Sequence, residues 1–276
     1  MAERVKTIMP KPTLEECIEI TKIQSIKGIL DKHSLVKERP FRSPHHSITM
    51  AGLIGGGQYP LPGEISLAHL GVLFLDEILE FDSSVLDTLR IPLENKKISI
   101  TRNEMNVVYP SSFILIGSTN PCPCGYYGSK EKECKCTENQ RNRYLNKISG
   151  PLMDRIDLRV IVNSIDYSSN EFKYMKNETS DIIKKRVENA RLVQEERYKN
   201  CIFNTNGELD EKGIKEFCNF SRDAENILNR GAERLKLSIR AYSKIKKVAR
   251  TIADIDEEEV IQKKHVLEAL QYRKEI

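Results

Sequence analysis

Short apolar runs and long charged amphipathic stretches give the chain two textures. Up to about residue 166 it holds most of its glycine and proline and all of its short β-like runs. Three of these are Gly71-Val72-Leu73-Phe74-Leu75, Phe113-Ile114-Leu115-Ile116-Gly117 and Leu158-Arg159-Val160-Ile161-Val162. Each is mostly apolar without alternation, as parallel strands covered on both faces are. Helical patterns follow the first run at 83–94 and precede the third at about 138–149, and strands alternating with helices predict an α/β sheet. Residues 97–109 alternate instead (Ile98, Ile100, Val107, Tyr109) around Asn103-Glu104, which predicts an inserted β-hairpin.

From residue 167 onward the pattern is helical and highly charged. A helix over 180–198 has a thin stripe of Ile183, Val187 and Ala190, so one side stays wet. Ser238 is placed to cap a further helix, in which Ile245, Val248, Ala249 and Ile252 mark a core-facing side. Val266, Leu267, Ala269 and Leu270 belong to a last helix. The expected organisation is an α/β domain at 1–166 and an all-helical domain at 167–276.

Composition changes this picture little. The 276 residues suit one large domain or two ordinary ones, and with 39% hydrophobic and 30% charged residues they read as a soluble globular chain. No apolar run approaches the ~20 residues of a membrane span. The opening Met1-Ala2-Glu3-Arg4-Val5-Lys6 lacks the apolar core of an export signal. A cytoplasmic protein with no membrane partner is expected. A net charge of +4 permits a nucleic-acid partner without arguing for one. Seven cysteines, an odd number, favour reduced thiols or a metal site over a disulfide framework.

The candidate chemistry starts at Val72-Leu73-Phe74-Leu75-Asp76-Glu77, where an apolar strand runs into adjacent carboxylates. Ligands of open α/β sheets sit at that carboxyl edge. In nucleotide hydrolysis Asp76 would hold Mg²⁺ and Glu77 would polarise the attacking water; a strand merely ending in surface acids is the alternative. The second run leads into Ser118-Thr119-Asn120, and an amide there could position the same water, unless Asn120-Pro121 only begins a turn.

These blocks resemble the magnesium-chelatase-like AAA+ ATPases of the ComM/YifB type. The resemblance is carried by Arg39-Pro40-Phe41-Arg42-Ser43-Pro44-His45-His46, Pro62-Gly63-Glu64-Ile65-Ser66, the Asp76-Glu77 strand and Asn120-Pro121-Cys122-Pro123-Cys124-Gly125. Ser149-Gly150-Pro151-Leu152-Met153-Asp154-Arg155-Ile156-Asp157, Leu237-Ser238-Ile239-Arg240-Ala241-Tyr242 and Val248-Ala249-Arg250-Thr251-Ile252-Ala253-Asp254 complete it. It implies that Asp76 and Glu77 are the Walker B acids and Asn120 the sensor 1 residue. It implies that Arg155 is an arginine finger reaching a neighbouring subunit's nucleotide, and Arg240 the sensor 2 arginine of a helical lid. From the residues alone, Arg155 paired with Asp154 or Asp157, and Arg240 solvated at a helix start, remain open. ATP and Mg²⁺ are the implied cofactors, and a ring of the protein's own subunits, a hexamer, is the implied assembly.

The phosphate cradle of such an enzyme, G-x-x-x-x-G-K-[ST], does not occur in the chain. Against the family, the chain is expected to begin just after that motif, so by itself it is expected to be inactive. Cys122, Cys124, Cys134 and Cys136 form two close pairs flanking a short loop, a donor set suited to tetrahedral Zn²⁺, with free thiols or disulfides as alternatives. His45 and His46 lack a nearby acid at ligand spacing, and no metal is assigned to them. Lys96, Lys97 and Arg102 lie on or near the predicted hairpin and could follow the phosphates of single-stranded or branched DNA; a solvated basic hairpin is the alternative. The leading expectation is a fragment of a ring-forming motor that translocates on or remodels DNA, of the branch-migration type that acts in DNA uptake and recombination. Its rivals are an ATPase subunit that drives metal insertion into a tetrapyrrole and a non-catalytic module that docks into rings.

Overall fold

The computed structural model describes residues 2–30, 35–102, 105–129, 132–162 and 178–273. The chain divides into two compact units: residues 1–7 with 11–155, and residues 8–10 with 156–276. The expected domain boundary at 166 lies outside the described residues.

After short helical turns at Ala2–Arg4 and Val5–Ile8, the first long helix is α1 (Leu14–Lys27). Thr13 and Glu16 close its first turn as a capping box, and Gly28, at φ 73°, ends it in the left-handed conformation. Strands β1 (Phe41–Arg42) and β2 (Val72–Leu75) follow. Next come α2 (Ser83–Asp87) and α3 (Arg90–Asn95), strands β3 (Lys97–Arg102), β4 (Met105–Pro110) and β5 (Ile114–Gly117), and helices α4 (Glu138–Leu145) and α5 (Gly150–Met153). The parallel sheet has the order β1-β2-β5, with Phe41 opposite Val72 and Val72 opposite Ile114. Leu73 and Leu75 are fully buried in its central strand. Gly71 admits β1 alongside, because a Cβ there would lie 2.0 Å from the Pro40 carbonyl oxygen.

Strands β3 and β4 form the expected antiparallel ladder, with Ile98 opposite Tyr109 and Ile100 opposite Val107. The turn at 103–104 lies outside the described residues. Ile98, Ile100 and Tyr109 face the core, and the Tyr109 hydroxyl donates to the Pro60 carbonyl at 2.7 Å.

Three expectations are corrected. The stretch 83–94 is two helices, because Pro92 has no N–H to offer the Thr88 carbonyl and its ring crowds that position. The stretch 138–149 ends as a helix at Leu145, and Ser149 instead precedes α5 as its N-cap residue. The run Leu158-Arg159-Val160-Ile161-Val162 is not a strand: Val160 is 64% exposed and Val162 73%. Among the described residues no strand pairs with it. The Arg159 amide donates to Tyr272 at 3.0 Å, within the second unit.

That second unit is helical: α6 (Ser180–Arg197), α7 (Glu211–Phe217), α8 (Arg222–Arg234), α9 (Ile239–Ile255) and α10 (Lys263–Gln271). Ser238 caps α9 by accepting from the Ala241 amide. Leu228, Ile245, Ala249, Ala253, Val266 and Ala269 build the core. Beside it lies a buried charge network. Asp254 accepts from Arg197 Nη1 at 2.9 Å, from Asn206 Nδ2 at 2.7 Å and from Arg250 Nε at 3.0 Å. Both Arg250 and Asp254 are shut off from solvent. Removing one partner of such a group strands the other charge. Asp254→Ala should therefore lower unfolding stability by about 3–5 kcal/mol, read from the shift in the urea midpoint; a change under about 1 kcal/mol would show that the network is solvated or replaceable.

Candidate functional site

The carboxyl ends of β2 and β5 are adjacent, with Leu75 opposite Gly117. Leu75 is buried, and the next residues, Asp76 and Glu77, are exposed. The acids thus emerge where the central strand runs out of the core, and Asn120, also exposed, follows the neighbouring strand at the same edge. Asp76 and Glu77 thus directly follow the central strand, and Asn120 comes three residues after the end of its neighbour.

Ser118 holds this edge together. Its amide donates to the Leu75 carbonyl at 3.1 Å and its own carbonyl accepts from the Ile78 amide at 2.8 Å. Its hydroxyl donates to Asp76 Oδ1 and accepts from the Glu77 amide at 3.1 Å. These bonds fix Glu77 in the left-handed region, at φ 49° and ψ 50°. A non-glycine residue there costs on the order of 1–3 kcal/mol and persists only where its surroundings over-determine it. Ile78 then turns into the core and packs over Gly117, where a Cβ would come within 2.9 Å of Ile78 Cδ1. The exposed carboxylates supply the hard oxygen donors that Mg²⁺ prefers, so the acidic half of a nucleotide site fits the residues present.

The remaining site residues are placed as follows. Arg155 follows α5; its guanidinium donates to the Pro151 carbonyl at 2.8 Å and pairs with Glu94 of α3. Glu94 is a partner that neither sequence alternative, Asp154 or Asp157, had named. Arg240 is exposed in the first turn of α9, in the second unit. Lys96 ends α3 at φ 53°, and Lys97 and Arg102 bound β3; all three are exposed.

Directly beyond Asn120 the four predicted cysteines converge. The Sγ atoms of Cys122, Cys124, Cys134 and Cys136 all lie within 4.8 Å of one another. Cys122 to Cys124 is 3.4 Å, Cys122 to Cys134 3.7 Å and Cys124 to Cys134 3.6 Å. No disulfide joins any of the four. The Tyr126 amide is the chief influence that draws Cys124 down to about 6, and desolvation raises Cys136 to about 11.

Sequence comparison matches the description "Magnesium chelatase, subunit ChlI" to residues 1–170 and its C-terminal counterpart to residues 177–273. The chain belongs to the magnesium chelatase ChlI family. Within this family it is 39% identical to YifB of Escherichia coli K12 over 273 residues, which is 99% of this chain and 53% of that protein. It is 40% identical to the competence protein ComM of Haemophilus influenzae over 274 residues, 99% of this chain and 52% of ComM. A magnesium-chelatase subunit ChlI of Bigelowiella natans shares 35% identity over 69 residues, 25% of this chain. The chain spans about half the length of the YifB and ComM relatives. Sequence reading had assigned no role to Ser118 and had missed β1, which has only two residues and ends in an arginine.

Proposed function

We propose that this ChlI-family chain is part of a ring-forming AAA+ ATPase, a hexamer, that converts ATP hydrolysis into translocation on DNA and branch migration. The observation that carries the reading is the pair Asp76-Glu77 at the end of the central parallel strand, locked by Ser118 beside the Asn120 strand end. The likeness to a relative named for competence, across nearly the whole chain, favours DNA as the substrate. The cofactors proposed for the whole protein are ATP and Mg²⁺, and its proposed place is the cytoplasm. No helix among the described residues is long and apolar enough to cross a membrane.

In this reading Asp76 holds Mg²⁺ through water, Glu77 accepts the proton of the attacking water and Asn120 orients that water. Arg155 of one subunit stabilises the charge that develops on its neighbour's nucleotide, and Arg240 does so from the helical unit. Lys96, Lys97 and Arg102 contact phosphates without reading bases. The test is a synthetic four-way DNA junction incubated with the full-length protein, ATP and Mg²⁺. ATP-dependent resolution into duplex products supports the reading. Inertness on junctions together with ATP-dependent metal insertion into a tetrapyrrole would move the protein to the chelatase rival.

Ser118 supplies a prediction that separates positioning from chemistry. Ser118→Ala removes the hydroxyl that orients both acids but leaves the backbone bonds of Ser118 in place. ATP turnover by the full-length variant should fall about tenfold, the effect of roughly 1.4 kcal/mol on the barrier, with ATP affinity changed less. Unfolding stability should drop by only about 1 kcal/mol. Unchanged turnover would show that the acids need no such support.

A further inference from the structure

We propose that Cys122, Cys124, Cys134 and Cys136 hold a structural zinc ion that pins the Asn120 end of β5 to the start of α4. Four thiolates at ~2.3 Å from a tetrahedral Zn²⁺ are separated by about 3.8 Å. The sulfur separations of 3.4, 3.7 and 3.6 Å fall just under that edge, and they far exceed the ~2.05 Å of a disulfide bond. The fourth sulfur, of Cys136, lies within 4.8 Å of the others. Soft sulfur donors in tetrahedral array select zinc or iron over Mg²⁺.

The backbone is shaped for the ion. Gly125 takes a left-handed φ of 80°, and its amide donates to the Cys122 carbonyl at 3.0 Å, so the chain doubles back after Cys124. The Tyr127 amide then donates to Cys122 Sγ at 3.4 Å. Such N–H···S bonds offset the negative charge that a tetrathiolate keeps after binding Zn²⁺. The second arm is equally constrained. Thr137, next to Cys136, caps α4 through a capping box with Gln140. Arg141 joins the arms: it donates to the Cys136 carbonyl at 2.8 Å and lies 4.3 Å from the centroid of the Tyr127 ring.

A second cluster, Asp256, Glu258 and His265, is less suited to a metal. Lys264 already sits 2.7 Å from Asp256 and 2.7 Å from Glu258, and supplies the positive charge there.

Position gives the ion its consequence. Asn120 is two residues before Cys122, and Pro121 between them stiffens the link. Zinc closing the loop from 122 to 136 therefore anchors the strand end that carries Asn120. The importance of Asn120 rests on the ATPase reading; the ion itself does not.

The test measures metal directly. The full-length protein, purified without chelator, is expected to carry one zinc per chain more than a Cys134→Ser, Cys136→Ser double variant. Replacement by Co²⁺ should give thiolate-to-cobalt absorption in the near ultraviolet. Stripping the metal should raise amide exchange at least about tenfold at 118–129 and in α4 while leaving α9 unchanged. Iron in place of zinc, no metal with four titratable thiols, or full metal retention by the double variant would overturn the proposal. If the double variant does not fold, the stripped wild-type protein decides: it must take up one Co²⁺ with the thiolate band, and failure to do so sinks the site. ATP turnover is not the readout, so a zinc-binding protein without ATPase activity would refute the function and leave the site standing.

Discussion

Glu77→Gln in the full-length protein should cut ATP turnover by roughly 10²–10⁴-fold, the range a positioned general base contributes. Bound ATP should persist on the variant. The substitution keeps the shape of the side chain, and the Ser118 hydroxyl still accepts from the residue-77 amide, since that bond is to the backbone. The amide cannot take a proton from water, so the loss falls on chemistry rather than on folding or binding. Asp76→Asn differs: it weakens a hard oxygen donor for Mg²⁺ and disturbs the bond from the Ser118 hydroxyl, so Mg²⁺-dependent binding should weaken first. Rapid filtration of radiolabelled ATP with a phosphate-release assay separates the two. Near-normal release by Glu77→Gln would move the catalytic role to another residue.

Arg155→Ala should lower turnover on a comparable scale, by roughly 10³-fold or more, because an arginine supplied by a neighbouring subunit can contribute that much to phosphoryl transfer. ATP binding should be largely kept. Arg155 pairs with Glu94 in its own chain, so a purely structural role must be separated from one between subunits. Two variants do this. Glu94→Gln removes the negative partner and keeps the arginine; if Arg155 acts on the neighbour's nucleotide, this variant should retain most activity. Mixing Arg155→Ala with Glu77→Gln subunits should restore some turnover, because some interfaces then join an intact Glu77 to an intact Arg155. Loss of activity in Glu94→Gln, with no recovery in rings shown to have exchanged subunits, would reassign Arg155 to the ion pair.

The central strand and its acids were legible because an unbroken apolar run ending in Asp-Glu has few physical outcomes. The cysteine loop was legible for a similar reason, since paired thiols at short spacing converge with little help from the rest of the fold. The run at Leu158 shows the limit of such patterns. Its composition matches β2, but a strand also requires a neighbour with free backbone groups, and no described strand meets it. The split near Thr88 follows from Pro92, a signal in the sequence that helical periodicity over 83–94 does not register. Ser118 could not be found by pattern: its bonds to Asp76 and Glu77 span 42 and 41 residues and exist only once β2 and β5 pair. The Arg155 to Glu94 pair, 61 residues apart, is hidden for the same reason.

The proposed activity is ATP hydrolysis coupled to DNA. The most direct measurement is the steady-state ATPase rate of the full-length protein, titrated with single-stranded DNA at fixed Mg²⁺ and low salt. A basal rate is expected that DNA raises several-fold, saturably, with the stimulation collapsing as salt displaces the phosphate contacts. A rate unaltered by DNA at any salt concentration, from protein shown to hydrolyse ATP, would contradict it.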